Sequence, residues 1–185
     1  MSDDIDLSAL RYEPLSAACP KGAFSCGDSD IDSWFLKRSH DQHDRLRCRV
    51  TTVHLGDNPA VVAFYSLRVT LEDETLLAPS NPIKFWATAR VFPSLHLEWL
   101  AVHGPYQGKK IGTVIMGRVL ETFRDAVLET GLPVLTLIPI NDRVRAFYTR
   151  LGFDPYAAHK GRPNLMLPGQ SVLDMYNKAK AQVAT

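Results

Sequence analysis

The sequence predicts a mixed α/β domain, and the order of patterns in its second half indicates this fold class. An alternating apolar segment at 95–102 is followed by a glycine-containing loop at 105–112 and then by a helical pattern. A short apolar run at 134–140 and another helical pattern then repeat the order of strand and helix. Strands and helices in this order favour a mixed sheet flanked by helices.

The chain has 185 residues, which suits a single domain over 1–185. A helix predicted at about 170–185 is either part of that domain or an appendage. Apolar residues make up 45% and charged residues 22%, which are ordinary values for a globular protein. The net charge of +1 gives no global argument for nucleic-acid or membrane binding, so any electrostatic role depends on local clusters.

The cysteines and the N-terminal segment favour a cytoplasmic protein that does not bind a membrane. Cys19, Cys26 and Cys48 are odd in number and lack CxxC spacing, so neither a disulfide framework nor a zinc site is predicted. Free thiols fit a reducing compartment. The start is acidic and lacks the apolar region of a signal peptide, and no segment has the length of a membrane span.

The first half predicts a helix followed by a β-hairpin. Residues 28–46 have a helical pattern that Asp28 or Ser29 can cap. The apolar residues that share one face of this helix are Ile31, Trp34 and Phe35. Two β-rich runs at 49–55 and 60–69 are joined by the turn sequence GDNP, which predicts a hairpin.

The second half predicts two helices, a buried strand between them and closing strands. The apolar residues that repeat every four positions along the first helix are Ile111, Ile115, Val119 and Phe123. This helix is expected to end near Gly131, and the run at 134–140 fits a buried strand. Asn141 or Asp142 caps the second helix, which ends at Gly152. The segments GFDPY and PNLMLP resemble closing strands before the C-terminal helix.

The loop PYQGKKIG at 105–112 is the first candidate binding element. Where a strand enters a helix through glycines, the first helical N–H groups and the positive end of the helix dipole favour an anion such as pyrophosphate. Neither the GxGxxG pattern of dinucleotide-binding folds nor the GxxxxGK[ST] pattern of P-loops is present. The loop alone therefore leaves two interpretations open, an anion-binding turn or a tight turn with solvated lysines.

Two motifs together resemble the GNAT superfamily of acetyl-CoA-dependent N-acetyltransferases. They are LAV…YQGKKIGTVIM and, about thirty residues later, NDRVRAFYTRLGF. In that family the loop pattern is Q/R-x-x-G-x-G/A, whose backbone binds the pyrophosphate of coenzyme A. The chain has lysine at Lys110, where the family has its first motif glycine, while Gly108 and Gly112 retain backbone freedom.

The resemblance implies acetyl-CoA as cofactor and gives roles to particular residues. The strand before the loop pairs with the pantetheine arm, the asparagine that opens the next helix contacts the cofactor, and the tyrosine of the FY pair lies by the sulfur. The residues carried over as cofactor-binding are Leu100, Ala101, Val102, Gln107, Gly108, Lys109, Lys110, Ile111, Gly112, Thr113, Asn141 and Phe147. The catalytic residue carried over is Tyr148.

The reaction gives a tyrosine a chemical task at this position. An amine attacks the thioester carbonyl and a thiolate leaves, which a phenol with a pKa of about 10 can protonate. Without the resemblance, a core aromatic residue beside Phe147 is the favoured interpretation of Tyr148. Glu98 is the candidate base, acting through water, although an exposed-face carboxylate is an equal alternative. An α-amine, with a pKa of about 7.7–8.0, needs no base.

The N-terminal half resembles one GNAT branch, the TacT-type toxins of bacterial toxin–antitoxin pairs. The matching segments are FSCGDSDIDSWFLKRSHDQHDRLRCRVTTVHL and VVAFYSL, and the likeness extends over residues 10–168. It implies acetylation of the α-amine of aminoacyl-tRNA, which blocks translation. It also implies a homodimer that a ribbon-helix-helix antitoxin neutralises.

A basic stretch in the first half is compatible with a tRNA substrate. Its cationic residues are Lys37, Arg38, Arg45, Arg47 and Arg49. Such a stretch can neutralise phosphates, or it can be a solvated helix face, since Asp41 and Asp44 lie between the cations. His40 and His43 lack a third ligand, so no metal site is predicted. Two other functions stay open: an acetyltransferase of a small amine or protein N-terminus, and a non-catalytic module that binds coenzyme A.

Overall fold

The computed structural model describes residues 5–73, 75, 77, 90–159 and 162–183. Its strands are β1 Leu10–Pro14, β2 Arg49–Leu55, β3 Ala63–Asp73, β4 Val91–Val102, β5 Val134–Leu137, β6 Asp154–His159 and β7 Arg162–Pro168. Its helices are α1 Ser29–Lys37, α2 Ser39–Asp44, α3 Ile111–Thr130, α4 Asp142–Arg150 and α5 Gly169–Val183.

The strands form one mixed sheet in the order β1-β2-β3-β4-β5-β7-β6. β4 and β5 pair in parallel, whereas β1–β2, β2–β3, β5–β7 and β6–β7 pair antiparallel. The parallel pairing runs from Leu95 to Leu97, and β4 continues to Val102. The predicted α/β class and the hairpin of β2 and β3 are confirmed.

The chain divides into two compact units, so the prediction of one domain over 1–185 stays a prediction. The first unit comprises Met1–Arg68 and Glu98–Arg118, and the second comprises Val69–Leu97 and Val119–Thr185. In the part of the chain that the structure describes, no helix has both the length and the apolar character needed to cross a membrane.

An aromatic stack forms the centre of the first unit. The rings of Phe35 and Phe64 lie parallel with centroids 4.0 Å apart, and Phe24 meets both rings edge-on. Trp34 stacks on Phe64 at 6.0 Å and contacts Trp99 of β4 at 5.5 Å. Burial of aromatic area of this size is a dominant stabilising contribution, and it fixes α1 against β3 and β4.

A half-buried carboxylate accepts several hydrogen bonds in the second unit. Glu72 Oε1 accepts hydrogen bonds from Ser94 Oγ at 3.0 Å and Thr136 Oγ1 at 3.1 Å. Its Oε2 accepts from the hydroxyl of Tyr156 at 2.6 Å. Burial and this hydrogen bond raise the pKa of Tyr156, because both disfavour the phenolate. These three donors satisfy a carboxylate that would otherwise be costly to bury.

The prediction of one helix over 28–46 is wrong, because the helix is broken at Arg38 into α1 and α2. Asp28 is the N-cap, as predicted, and its side chain accepts from the N–H groups of Asp30 and Ile31. The buried Lys21 ends α1: its ammonium group donates to the carbonyl oxygens of Phe35 at 2.9 Å and Leu36 at 3.3 Å. These carbonyls are thereby withdrawn from a continuing helix.

The predicted strand at 134–140 is shorter in the structure and ends at Leu137. All four residues of β5 are buried and pair with β7, whereas Ile138 is exposed and Pro139 has no N–H group to donate to a ladder. The α3 face is as predicted, since Ile111 and Phe123, at its two ends, are buried. Asn141 caps α4, and Gly152 follows its end with a φ of +91°.

Replacement of Lys21 with methionine tests its role as the cap that ends α1. We expect Lys21→Met to lower the free energy of unfolding by roughly 2–4 kcal/mol, because two carbonyl oxygens and Ser39 lose a charged donor. Urea denaturation measures this. Lys37→Met, at an exposed position of the same helix, is the matched control and should change stability by at most about 0.5 kcal/mol. Equal effects of the two substitutions would contradict the assignment.

Candidate active site

The loop between β4 and α3 presents a run of unpaired backbone donors. The N–H groups of residues 108–112 have no hydrogen-bond partner among the residues that the structure describes. The first donors that are used belong to Thr113 and Val114, whose N–H groups donate to the carbonyl of Lys110 at 3.0 and 3.2 Å. Five consecutive free donors at a helix start, with the positive end of the dipole behind them, form a site for an anion.

Two left-handed residues give the loop its conformation. Gly108 has a φ of +76° and Lys110 has a φ of +63°. A glycine adopts this conformation without strain, whereas a lysine there costs about 1–2 kcal/mol. Lys110 therefore occupies a backbone conformation suited to the glycine that it replaces in the family pattern. Both lysines of the loop have exposed surface, Lys110 more than Lys109.

Side-chain and backbone hydrogen bonds hold the loop against the N-terminal segment of the same unit. The side-chain nitrogen of Gln107 donates to the carbonyl of Cys26 at 2.8 Å and to that of Val102 at 2.9 Å. The N–H of Gly104 donates to the carbonyl of Ser25 at 2.9 Å. Gln107 was predicted to bind the cofactor, and the structure shows that its amide nitrogen ties the loop to the strand end.

The end of β4 lies beneath the start of α3. A Cβ atom at Gly112 would contact Leu100 and Val102, each at 4.0 Å, which is ordinary van der Waals distance. Ala101, between them, is buried. The segment that the resemblance assigns to the pantetheine arm is therefore adjacent to the run of free donors.

Glu98, the predicted base, is held by two polar neighbours. Its Oε1 lies 3.8 Å from Arg68 Nε, and its Oε2 accepts from Ser66 Oγ at 3.4 Å. The carboxylate is partly exposed, so water has access to it. Cys48 is buried close by, and burial followed by the Glu98 charge raises the pKa of its thiol to about 11. This thiol is neutral at physiological pH and gives no nucleophile.

Helix α4, in the second unit, carries the other predicted site residues. Asn141 uses its Oδ1 as the helix cap, accepting from the N–H of Val144 at 2.9 Å. Tyr148 is 6% exposed and lies edge-on to Phe147 and Phe153 at 5.1 and 5.6 Å. Its hydroxyl makes no hydrogen bond with any described residue. Burial raises the pKa of Tyr148, which keeps the phenol protonated.

A cavity in the first unit contains residues that sequence analysis did not single out. It has a volume of about 260 Å³ and is lined by Asp30, Ser33, Trp34, Arg38 and Trp99. The indole nitrogen of Trp99 is buried and has no hydrogen-bond partner among the described residues. Only the tertiary fold brings Trp99 to Trp34, so the spacing of these residues along the chain gave no signal.

The basic stretch is exposed and mostly without counter-ions. Arg45 pairs with Asp41 at 2.6 Å. Within the described part of the chain, the cations of the stretch that make no salt bridge are Lys37, Arg38, Arg47 and Arg49. His40 and His43 bond to backbone groups, His40 to the carbonyl of Ser16 and His43 to the N–H of Val50.

The structure therefore brings together the loop, the end of β4, Glu98 and the basic stretch within the first unit. Asn141, Phe147 and Tyr148 are grouped on α4 of the second unit. Unpaired donors at the start of a helix, next to a strand end, are suited to bind an anionic group such as a pyrophosphate.

Comparison with known proteins gives the family. The model of the acetyltransferase (GNAT) family matches residues 25–153. This match covers more than half of the chain, so the chain belongs to the GNAT family of acetyltransferases. It is an enzyme, and its cofactor is acetyl-CoA. No sequence among the curated proteins matches the chain.

Several solved structures share the fold. A tyrosine-to-phenylalanine mutant of KacT and AtaT complexed with acetyl-methionyl-tRNAfMet each have a TM-score of 0.80 and 22% identity, covering 90% of this chain and 99% of theirs. A mutant AtaT toxin bound to the C-terminus of the antitoxin AtaR and to acetyl-CoA has a TM-score of 0.74 and 20% identity, covering 91% of this chain and 98% of its own.

The loop residues fit acetyl-CoA on geometric grounds. A pyrophosphate needs several donors close together, and the free N–H groups of residues 108–112 are consecutive in a single turn. A Cβ atom added at Gly108 would have no neighbour within 4 Å, so the turn is open there. These residues would hold the pyrophosphate.

Two substitutions at Lys110 distinguish the effect of backbone strain in the loop from the effect of the lysine charge. Lys110→Gly should raise the free energy of unfolding by about 0.5–1 kcal/mol, because glycine adopts the φ of +63° without strain. Lys110→Ala removes the same charge but keeps the strain, so its stability should stay within about 0.5 kcal/mol of wild type. Urea denaturation of the three proteins measures both effects. Equal stability of the glycine and alanine variants would show that the lysine is not strained.

Proposed function

We propose that this acetyltransferase is a toxin that acetylates the α-amine of an amino acid esterified to tRNA and so blocks translation. The observation that carries the proposal is the exposed basic stretch, in which Arg47, Arg49 and two further cations have no salt bridge among the described residues. In a chain with a net charge of +1, unpaired cations on one short segment favour a polyanionic substrate. The similarity to toxin structures supports the same assignment.

The loop between β4 and α3 positions the cofactor in the proposed reaction. Bound acetyl-CoA supplies a thioester whose carbonyl is attacked by the amine and whose sulfur leaves. The N–H groups of residues 108–112 hold the pyrophosphate and thereby fix the position of the reacting end. Lys109 and Lys110 add positive charge to the same turn, which favours a phosphate-bearing cofactor over a neutral one.

Tyr148 is the proposed acid for the leaving sulfur. Its hydroxyl has no partner among the described residues, so a proton is available to a substrate group. Burial raises its pKa above the ordinary value of about 10, so the phenol stays protonated over the physiological range. A buried donor that is protonated and unpaired is suited to stabilise a developing thiolate.

No strong base is required for this substrate. An α-amine with a pKa of about 7.7–8.0 is roughly a tenth to a fifth neutral at pH 7. Glu98 can take the amine proton through water, and its Oε1 also lies 3.8 Å from Arg68 Nε. We therefore assign Glu98 a secondary role.

The proposed partners and location are those expected of such a toxin. We propose a cytoplasmic homodimer that a ribbon-helix-helix antitoxin neutralises. The likeness to a toxin structure with the C-terminus of its antitoxin bound supports the antitoxin partner. Analytical ultracentrifugation of the purified chain tests the dimer. Restored growth when a candidate antitoxin is co-expressed tests the neutralisation.

Incubation with labelled acetyl-CoA and charged tRNA tests the proposed substrate. We expect label on the α-amine of the aminoacyl group, and uncharged tRNA as a control should stay unlabelled. Replacing Arg47 and Arg49 with alanine should raise the KM for charged tRNA and lower its salt dependence, since each removes an unpaired cation. Arg45→Ala should have a smaller effect because Asp41 already neutralises this residue. Label only on free polyamines or protein N-termini would overturn the proposal, and binding of acetyl-CoA without transfer would indicate a non-catalytic module.

Substitution of Tyr148 with phenylalanine tests the acid. We expect kcat to fall by roughly 10²–10⁴-fold and the Kd for acetyl-CoA to stay within about twofold, because the lost hydroxyl has no partner among the described residues. Since burial raises the pKa of this phenol, wild-type turnover should show no loss from its ionisation below about pH 10. Tyr156→Phe removes another buried hydroxyl, bonded to Glu72, and should alter stability with little change in kcat. A Tyr148→Phe enzyme with normal kcat would remove Tyr148 from the mechanism.

A further inference from the structure

The cavity lined by Trp34 and Trp99 has the composition of a binding site, and its lining includes none of the residues assigned to the cofactor, the acid or the base. Its volume of about 260 Å³ is slightly smaller than the pockets of about 300–1,000 Å³ that hold drug-sized ligands. Two indoles, a carboxylate, a hydroxyl and a guanidinium line it. It therefore suits a single small group with a flat face.

The aromatic residues favour a planar ligand. Trp34 ends a stack that runs through Phe64 and Phe35, with interplanar angles of 17° and 6°. Trp34 is only partly buried, and Trp99 lies at 41° to it across a centroid distance of 5.5 Å. A rigid aromatic platform of this kind binds a nucleobase by stacking, which contributes about 1–3 kcal/mol per base.

The polar residues select among planar ligands. Asp30 and Arg38 carry opposite charges at one cavity, so a ligand group with a net charge of either sign meets repulsion from one of them. An apolar amino-acid side chain would leave the side chains of Asp30, Ser33 and Arg38 without a hydrogen-bonding group to face. A neutral purine offers ring nitrogens as acceptors for Arg38 and an exocyclic amino group as a donor for Asp30 or Ser33.

Arg38 connects the cavity to the basic stretch, because it belongs to both. A strand whose phosphates follow the basic stretch can thus place one unstacked base in the cavity. We infer that this cavity binds the 3′-terminal adenine of the acceptor RNA, the nucleoside that carries the esterified amino acid. This inference rests on the proposed tRNA substrate and adds the subsite that positions its reacting end.

The test compares uncharged tRNA with an intact CCA end and the same tRNA lacking only its terminal adenosine. Wild-type protein should bind the truncated tRNA about 5–150-fold more weakly, which is the stacking contribution expressed as a ratio of Kd values. Trp34→Leu should bind both tRNAs equally and at the truncated level, whereas Trp34→Phe, which keeps an aromatic face, should retain most of the preference. An unchanged Kd for acetyl-CoA in Trp34→Leu shows that the fold is intact.

The outcomes separate this inference from the proposed function. No binding of either tRNA would overturn the tRNA substrate itself. Equal binding of both tRNAs by wild-type protein, or a preference that Trp34→Leu retains, would overturn the cavity assignment and leave the substrate standing. A preference abolished by saturating coenzyme A would assign the cavity to the adenine of the cofactor instead. If Trp34→Leu fails to fold, Asp30→Ala, which removes the acceptor for the exocyclic amino group and keeps both indoles, should lose part of the preference.

Discussion

The run of free backbone donors from Gly108 to Gly112 is the feature on which the rest of the site depends. Unpaired N–H groups are costly to leave without a partner unless water or a ligand satisfies them, and here they lie at the positive end of a 20-residue helix. The chain keeps these donors together by adopting positive φ angles at Gly108 and Lys110. It also uses the side chain of Gln107, not the N–H groups of the loop, to fasten the loop to the strand end.

The first unit contains that loop together with the other features of the site. The aromatic stack of Phe35, Phe64 and Trp34 fixes α1, and Lys21 ends this helix where the basic stretch begins. The break between α1 and α2 places Arg38 at the cavity as well as in the basic stretch. The turn proposed to bind the cofactor, the segment proposed to bind a polyanion and the aromatic cavity therefore occur in one compact unit of the chain. Each has a different physical basis: backbone dipoles, side-chain charge and stacking.

Sequence patterns predicted much of the fold because the signals involved are local. Asp28 and Asn141 are caps, Gly152 adopts the left-handed conformation, and the four-residue repeat of α3 is buried as expected. The break at Arg38 was missed because it depends on Lys21, which is distant in sequence and acts through its ammonium group. The cavity was missed for a similar reason, since Trp99 and Trp34 meet only when β4 packs against α1. The hydrogen bond from Gln107 to Cys26 is also a tertiary contact that the loop motif alone does not predict, and the cofactor contact of Gln107 stays a prediction.

The central claim is that the N–H groups of residues 108–112 bind the pyrophosphate of acetyl-CoA. Amide chemical shifts measured by NMR during titration with coenzyme A test it most directly. These five amides should show large downfield proton shifts with coenzyme A. They should shift in the same direction with inorganic pyrophosphate alone. Amides of residues 108–112 that stay at their free positions while coenzyme A saturates the protein would contradict it.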